Sequence, residues 1–327
     1  MRIADIYGAN QALDHPTISF EFFPPRTLEA EQTLFGQVLP RLRALGPDFI
    51  SVTYGAGGST RDKTLGIVAR ARQEFGLEAM THLTCVGASY AQLRGVLDEA
   101  RALGIENVLA LRGDPPAGEG EFRPAPDGPA YAHELVRLVG SYGCFSVGVA
   151  GFPEGHLQCG GDKQRDWAYL AEKVAAGAEF VLTQLFYDNA DYFAFANYLR
   201  NRLGVHVPLV PGILPILSTA QIKRFTALCG ARLPAPLLAR LEALADDDEA
   251  VTQLGIEVAT AQCRELLAGG APGLHFYTLN RARSVTAILE NLGLAGRRSR
   301  PPAQRRPRRS RRGRIALAAP LAPAPLA

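Results

Sequence analysis

Apolar positions along the chain fall into two alternating kinds of stretch. Eight short runs, rich in β-branched and aromatic residues, read as buried strands: 18–23 (ISFEFF), 49–54, 78–85, 107–113, 144–152, 180–186, 208–215 and 273–280. Between them apolar residues recur at helical spacing, which predicts helices near 28–45, 61–75, 89–103, 129–141, 164–176, 189–203, 218–229 and 282–293. Strand-then-helix alternation argues for an all-parallel sheet. Eight such repeats over about 280 residues suit a closed (β/α)8 TIM barrel, an α/β fold. The largest insertion precedes the eighth strand and reads as two extra helices, 235–244 and 247–268, with the acids of 246–249 loading the start of the second.

The local punctuation agrees. Thr27 and Ser89 stand where helices begin, and Gly76, Gly104, Gly177 and Gly204 stand where helices end before the next strand. A doubly wound open sheet would carry a Gly-rich turn after its first strand. Here that strand runs into Phe23-Pro24-Pro25-Arg26, with no glycine.

Charge divides the chain. Ten arginines and no acid lie in 297–314, so removing them turns the net charge from +3 to −7. Residues 1–296 therefore read as an acidic barrel domain. Residues 297–327, made of Arg, Pro, Ala and Ser, read as a disordered basic tail that cannot offset its chain entropy by burial. Such a tail is either a solvated extension or a polyanion-binding segment acting by counterion release; no aromatic residues interleave its arginines to stack on bases. The five cysteines contain no C-x-x-C pair and suggest neither a disulfide framework nor a zinc site. No apolar run is long enough to span a bilayer, and the N-terminus lacks a secretory pattern, so a cytoplasmic protein is expected.

In a (β/α)8 barrel the active site lies at the C-terminal ends of the strands. Those ends carry Glu21, Thr53, Tyr54, His82, Thr84, Arg112, Gly113, Asp114, Phe152, Glu154, His156, Gln184, Tyr277, Asn280 and Arg281. Polar groups gathered at one end of apolar strands suit a site better than a core. Schiff-base chemistry needs a lysine inside the barrel, and Lys63, Lys163, Lys173 and Lys223 all fall on helices or loops. His82, His156 and His275 stand singly, without the H-x-H spacing of a metallohydrolase, so no metal is expected. Glu21 is either half of an acid/base pair with Asp114 or a buried ion-pair partner of Arg112.

Eight stretches carry a resemblance: SFEFFPPRT (19–27), FISVTYGAGGSTRDKT (49–64), HLTC (82–85), NVLALRGDPP (107–116), FPEGH (152–156), EKVAAGAEFVLTQLFYD (172–188), VPGILPI (210–216) and HFYTLNRA (275–282). In that order and at that spacing they resemble the compact bacterial type of the methylenetetrahydrofolate reductase family. The resemblance spans about 18–294 and leaves the tail without a counterpart. It implies FAD at the barrel mouth, a reduced nicotinamide, NADH or NADPH, as donor, 5,10-methylenetetrahydrofolate as acceptor and 5-methyltetrahydrofolate as product. It also implies ping-pong exchange through one pocket, a supply of methyl groups for methionine synthesis, and a homo-oligomer. By the resemblance, Thr53, His82, Leu111, Arg112, Gly113, Ala150, Phe152 and His156 line the flavin and its phosphates, Asp166 reaches the ribose and Lys173 the diphosphate. Tyr169 stands where some members have asparagine. Asp114 lies beside the flavin ring, and Glu21 is the general acid toward folate N10. Gln184, Gln221, Phe225, Tyr277 and Arg281 face the substrates. Glu21 needs a raised pKa for that task, which a setting of Phe20, Phe22 and Phe23 is expected to supply. The other readings are a flavin-binding barrel without reductase activity and a nucleic-acid-associated protein acting through its tail.

Overall fold

The eight strands close on themselves in chain order, each parallel to its neighbours, in a computed structural model that describes residues 1–54, 61–114 and 122–296. They are β1 Thr17–Phe22, β2 Phe49–Val52, β3 Ala79–Thr84, β4 Asn107–Leu111, β5 Ser146–Gly151, β6 Phe180–Leu185, β7 Leu209–Ile213 and β8 Gly273–Tyr277. Each predicted run contains one of them, give or take a residue. The expected disordered tail, 297–327, lies outside the described residues, as do 55–60 and 115–116 of the recognised stretches.

Strand parity sorts the interior. Ile18, Phe20, Phe22, Ile50, Val52, Val108 and Val149 point outward into the core between sheet and helices. Phe49, Met80, Leu109, Phe180, Leu182 and Val210 point inward and fill the lower barrel. This is the period-2 alternation of a strand buried on both faces.

Outside lie α4 Arg61–Phe75, α5 Tyr90–Ala102, α6 Ala132–Gly140, α7 Lys163–Ala175, α8 Asn189–Leu203, α9 Thr219–Cys229 and α12 Arg283–Asn291. The insertion forms α10 Ala235–Ala243 and α11 Asp248–Ala268, as the pattern predicts. Ser89 and Gln92 make a reciprocal capping box at the start of α5, and the Thr27 hydroxyl accepts from the Ala30 N–H.

One expectation needs correction, and one element is additional. The helix predicted over 28–45 is interrupted: α2 Leu28–Thr33, a wide π turn Leu34–Val38, then α3 Leu39–Ala44. Pro40 has no N–H to donate back along the helix, and the widened turn takes up the break. The N-terminus, read only for a targeting signal, forms a further helix, α1 Ile3–Gln11. Its buried Ile3, Ile6 and Tyr7 close the barrel floor, where Tyr7 meets Phe49 and Phe180 edge-on and tilted.

Helix α11 approaches the β7–α9 connection through Gly255. A Cβ there would stand 2.2 Å from the Ile216 carbonyl oxygen. Alanine in a helix interior ordinarily gains up to about 1 kcal/mol over glycine. Here the clash is with backbone, so Gly255→Ala is expected to destabilise by about 1–3 kcal/mol instead. Denaturant unfolding decides the sign, and a stabilised variant would show that α11 can retreat.

Candidate functional site

The mouth of the barrel is polar where its floor is apolar. Inward parity on β1, β2, β3 and β8 brings Ser19, Glu21, Ser51, His82 and His275 together, all buried. One carboxylate oxygen of Glu21 lies 3.2 Å from His275 Nε2 and 3.3 Å from His82 Nε2, and the Ser51 hydroxyl is 3.3 Å from it. His275 is held from its other side, with Nδ1 2.8 Å from the Ser19 hydroxyl. A serine O–H donating to Nδ1 and an Nε2–H donating to Glu21 satisfy the whole ring. His82 Nε2 is within charge-pairing distance but is aimed too poorly to hydrogen-bond, so it is a buried nitrogen without a hydrogen-bond partner among the described residues. Thr84 Oγ1, two residues along the same strand, is another.

This geometry overturns two readings of Glu21. Its partner is not Arg112, whose guanidinium lies over the Phe122 ring and bonds the Gln158 side chain. Nor is its carboxyl raised. Burial pushes it up, but the charge of His82 and the hydrogen bond from His275 together outweigh burial and hold it at about 2. Phe20 and Phe22 have the opposite parity and face the helices, and Phe23 is 43% exposed. The aromatic setting apparent in the sequence is on the wrong side of the strand.

A second group forms at the ends of β4 and β5. Leu111, Arg112 and Gly113 are half-buried, and Asp114 is exposed. Gly113 adopts φ +86°, and a Cβ on it would meet Val86 at 2.8 Å, so only glycine lets the chain turn here. On α7 the Lys173 ammonium reaches back to donate to the Ala150 carbonyl at 2.6 Å. Burial lowers its pKa to about 8, with Asp166 acting in the opposite sense. Burial raises the Asp166 carboxyl. The rings of Phe152 and His156 meet edge to face at 4.7 Å. Burial, and then the charge of Arg112, lower the pKa of His156, while Asp114 raises it. Thr53 lies just past β2 and accepts the Thr64 hydroxyl on its carbonyl. Tyr169 is exposed, its hydroxyl accepting from Arg165.

The substrate-side candidates lie on β6, on α9 and at and just beyond the end of β8. Gln184 is half-buried beside a cleft shared with Phe152, Glu154, Leu185 and Cys229. Gln221 and Phe225 are half-buried on α9, and Phe225 packs partly on the cluster of Ile222, Leu237 and Leu241, so packing accounts for part of it. Tyr277 spends its hydroxyl on the Thr183 carbonyl, 2.6 Å away. Arg281 is exposed after a turn in which Leu279 and Asn280 both take positive φ. Asn280 bonds both the N–H and the carbonyl of Phe23, tying that turn to the end of β1.

Sequence reasoning left out Ser19, Ser51 and the joint action of His82 with His275. The only signal for the serines was a polar residue at inward parity in an apolar strand. It also left out an ion cluster in which Arg232 reaches Glu154, Asp188 and Asp191, and Asp191 also takes Lys163, bracing the α9–α10 loop against the β5 loop and α8.

The family model described as methylenetetrahydrofolate reductase matches residues 8–293. The chain belongs to the methylenetetrahydrofolate reductase family. It is 42% identical to methylenetetrahydrofolate reductase (NADH) 1 of Arabidopsis thaliana over 304 residues, 90% of this chain and 51% of that protein. It is 39% identical to the 5,10-methylenetetrahydrofolate reductase of Escherichia coli over 277 residues, 85% of this chain and 90% of that protein. The chain spans about half the length of the plant and fission-yeast relatives it matches and nearly all of the bacterial one. An uncharacterised Clostridium thermocellum protein, described as binding two copies of 5-methyl-5,6,7,8-tetrahydrofolic acid, has the same fold: TM-score 0.57, 12% identity, 87% of this chain and 97% of that one. Among the described residues no helix is long and apolar enough to cross a membrane, and no group of His, Cys, Asp and Glu could hold a metal ion.

Proposed function

We propose that the chain reduces 5,10-methylenetetrahydrofolate to 5-methyltetrahydrofolate, taking hydride from a reduced nicotinamide by way of FAD. Family membership supports the reaction. The observation that carries it is the Glu21 carboxylate held between two imidazoles on the floor of the mouth.

The residues at the mouth fit a flavin dinucleotide. His82 Nε2 and Thr84 Oγ1 are buried polar atoms lacking hydrogen bonds, and such atoms are costly unless a ligand pairs them. Arg112 and Lys173 supply positive charge for a diphosphate without a Gly-rich loop. Asp166, Ala150, Phe152, His156, Leu111, Gly113 and Thr53 would form the rest of the cradle. When bound, the flavin accepts and donates hydride. Asp114 would add negative charge beside its ring. Gln184, Gln221, Phe225 and Arg281 would receive nicotinamide and folate in turn, which requires ping-pong exchange.

The folate must gain a proton on the leaving ring nitrogen before its exocyclic carbon can take hydride. Glu21 is ionised at neutral pH, so the proton is not stored on an isolated neutral carboxyl. It is shared within the Glu21–His82–His275 cluster. The carboxylate aligns the imidazoles, and the cluster hands the proton to the substrate.

The deciding experiment is an anaerobic absorbance titration of the purified protein. Flavin bands bleached by NADH or NADPH and restored by methylenetetrahydrofolate are expected. A colourless protein that cannot be reconstituted with FAD would remove the proposal.

Lys173 gives a pH signature to flavin binding. Below about pH 8 its ammonium is present in the free protein and affinity is flat; above that, each binding event must first protonate the amine. FAD affinity is expected to fall by up to about tenfold per pH unit above 8. Lys173→Met should bind FAD more weakly with no such limb, as fluorescence titration of the apoprotein will show. An identical limb in the variant would assign it elsewhere.

A further inference from the structure

The strand carrying Gln184 is irregular, and the irregularity has a cause in the neighbouring strands. Leu182 pairs with Val210 and Leu185 with Gly212. Thr183 and Gln184 therefore stand opposite the single residue Pro211, which makes a bulge in β6. Pro211 has no N–H for the ladder. The backbone groups left over are taken by side chains. Gly212 N–H donates to Thr183 Oγ1 at 2.9 Å, and the Thr183 carbonyl accepts the Tyr277 hydroxyl at 2.6 Å. Gly212 leaves the space for this: a Cβ there would stand 2.2 Å from the Thr183 carbonyl oxygen and 2.7 Å from the Tyr277 ring. The Gln184 side-chain oxygen folds back on the Leu185 N–H at 2.9 Å, which leaves its amide nitrogen as the donor available toward the mouth. On its other side Tyr277 sits against His275, rings edge to face at 5.4 Å, and opposite Glu21 in the β1–β8 register.

We infer that Tyr277 is a positioning residue rather than a substrate contact: its hydroxyl holds the β6 bulge in the shape that presents Gln184 to the shared nicotinamide and folate pocket. A bulge aims a side chain that a regular ladder would send elsewhere. Without the phenol the buried Thr183 carbonyl loses this partner, and the bulge relaxes toward a new acceptor geometry. One residue on β8 thereby connects the proton-holding cluster to the substrate-orienting amide on β6. The inference rests on the proposed role of Gln184, and its test separates the two.

Tyr277→Phe keeps the ring and its packing. It is expected to raise the KM for both nicotinamide and folate about tenfold, with turnover at saturation within about twofold of the parent. Thr183→Val removes the other bond of the same bulge and should give the same split without touching Tyr277. Gln184→Ala should raise both KM values as well. The double variant Y277F/Q184A should be no worse than Q184A alone, because the tyrosine acts only through the glutamine. A crystal structure of Tyr277→Phe should show the Gln184 amide displaced. An unmoved Gln184, or effects of Y277F and Q184A that multiply, overturns the inference. A Gln184→Ala enzyme with parental KM values also overturns it, while leaving the reductase activity standing. If the parent protein does not turn over at all, the proposed function fails, and the Gln184 position in the Tyr277→Phe crystal still decides the role of the tyrosine.

Discussion

Glu21→Gln should slow folate reduction by about 10²–10⁴-fold while leaving flavin reduction by the nicotinamide near its parental rate. The asymmetry follows from the chemistry of the two halves. Hydride leaves a nicotinamide without help from a protein acid. The folate has to open a ring, and its leaving nitrogen has to be protonated. Glutamine matches the carboxylate in size and can still accept from His275, but it places no negative charge beside the imidazoles and the folate. Stopped-flow measurement of the two half-reactions separates the outcomes. Equal losses in both would make Glu21 a structural residue. The wild-type pH profile is informative as well. The carboxyl is ionised above about pH 2, so a rate limb found between pH 5 and 8 comes from another group.

The second large effect is on acid stability. The folded Glu21 carboxyl is held at about 2, against an ordinary 4.5. A carboxyl depressed on folding stabilises the fold above its unfolded pKa and loses that contribution as pH falls through the folded one. The contribution is therefore complete above about pH 5, declines between 4.5 and 2, and is absent below. A shift of this size corresponds to about 3 kcal/mol. Chemical denaturation of the parent at stepped pH should show stability climbing through that window. Glu21→Gln should lack the Glu21 part of the slope, so the two curves converge at low pH and separate toward neutrality. Parallel curves across the window would show that the histidines do not stabilise the carboxylate. The His275→Ala variant is the complementary case: it leaves Glu21 buried with one good partner fewer and should move its titration upward.

The eight strands, the surrounding helices and the two inserted helices were legible in the sequence, because a closed parallel barrel repeats a short-range pattern. Buried strands read as apolar runs, helices as amphipathic stretches, and Gly76, Gly104, Gly177 and Gly204 mark the turns between them with positive φ. The recognised stretches also located the polar ends of the strands, and those ends do converge on one mouth. What failed were inferences from neighbours in the chain. Phe20 and Phe22 flank Glu21 in sequence, yet a strand sends alternate side chains to opposite faces, so they cannot set its environment. His82 and His275 read as isolated histidines because 193 positions separate them in the chain. Barrel closure pairs β1 with β8 while β3 stands two strands from β1 on its other side, which brings both rings to one carboxylate and reverses the expected direction of its pKa. The bulge at Thr183 is of the same kind: Pro211 announces that a ladder bond is missing, but which strand supplies Tyr277 to fill the gap is decided by register. Local propensity and periodicity determined the elements of this protein. Closure of the sheet alone decided the charges and hydrogen bonds at its centre, since only there do residues remote in the chain share one low-dielectric space.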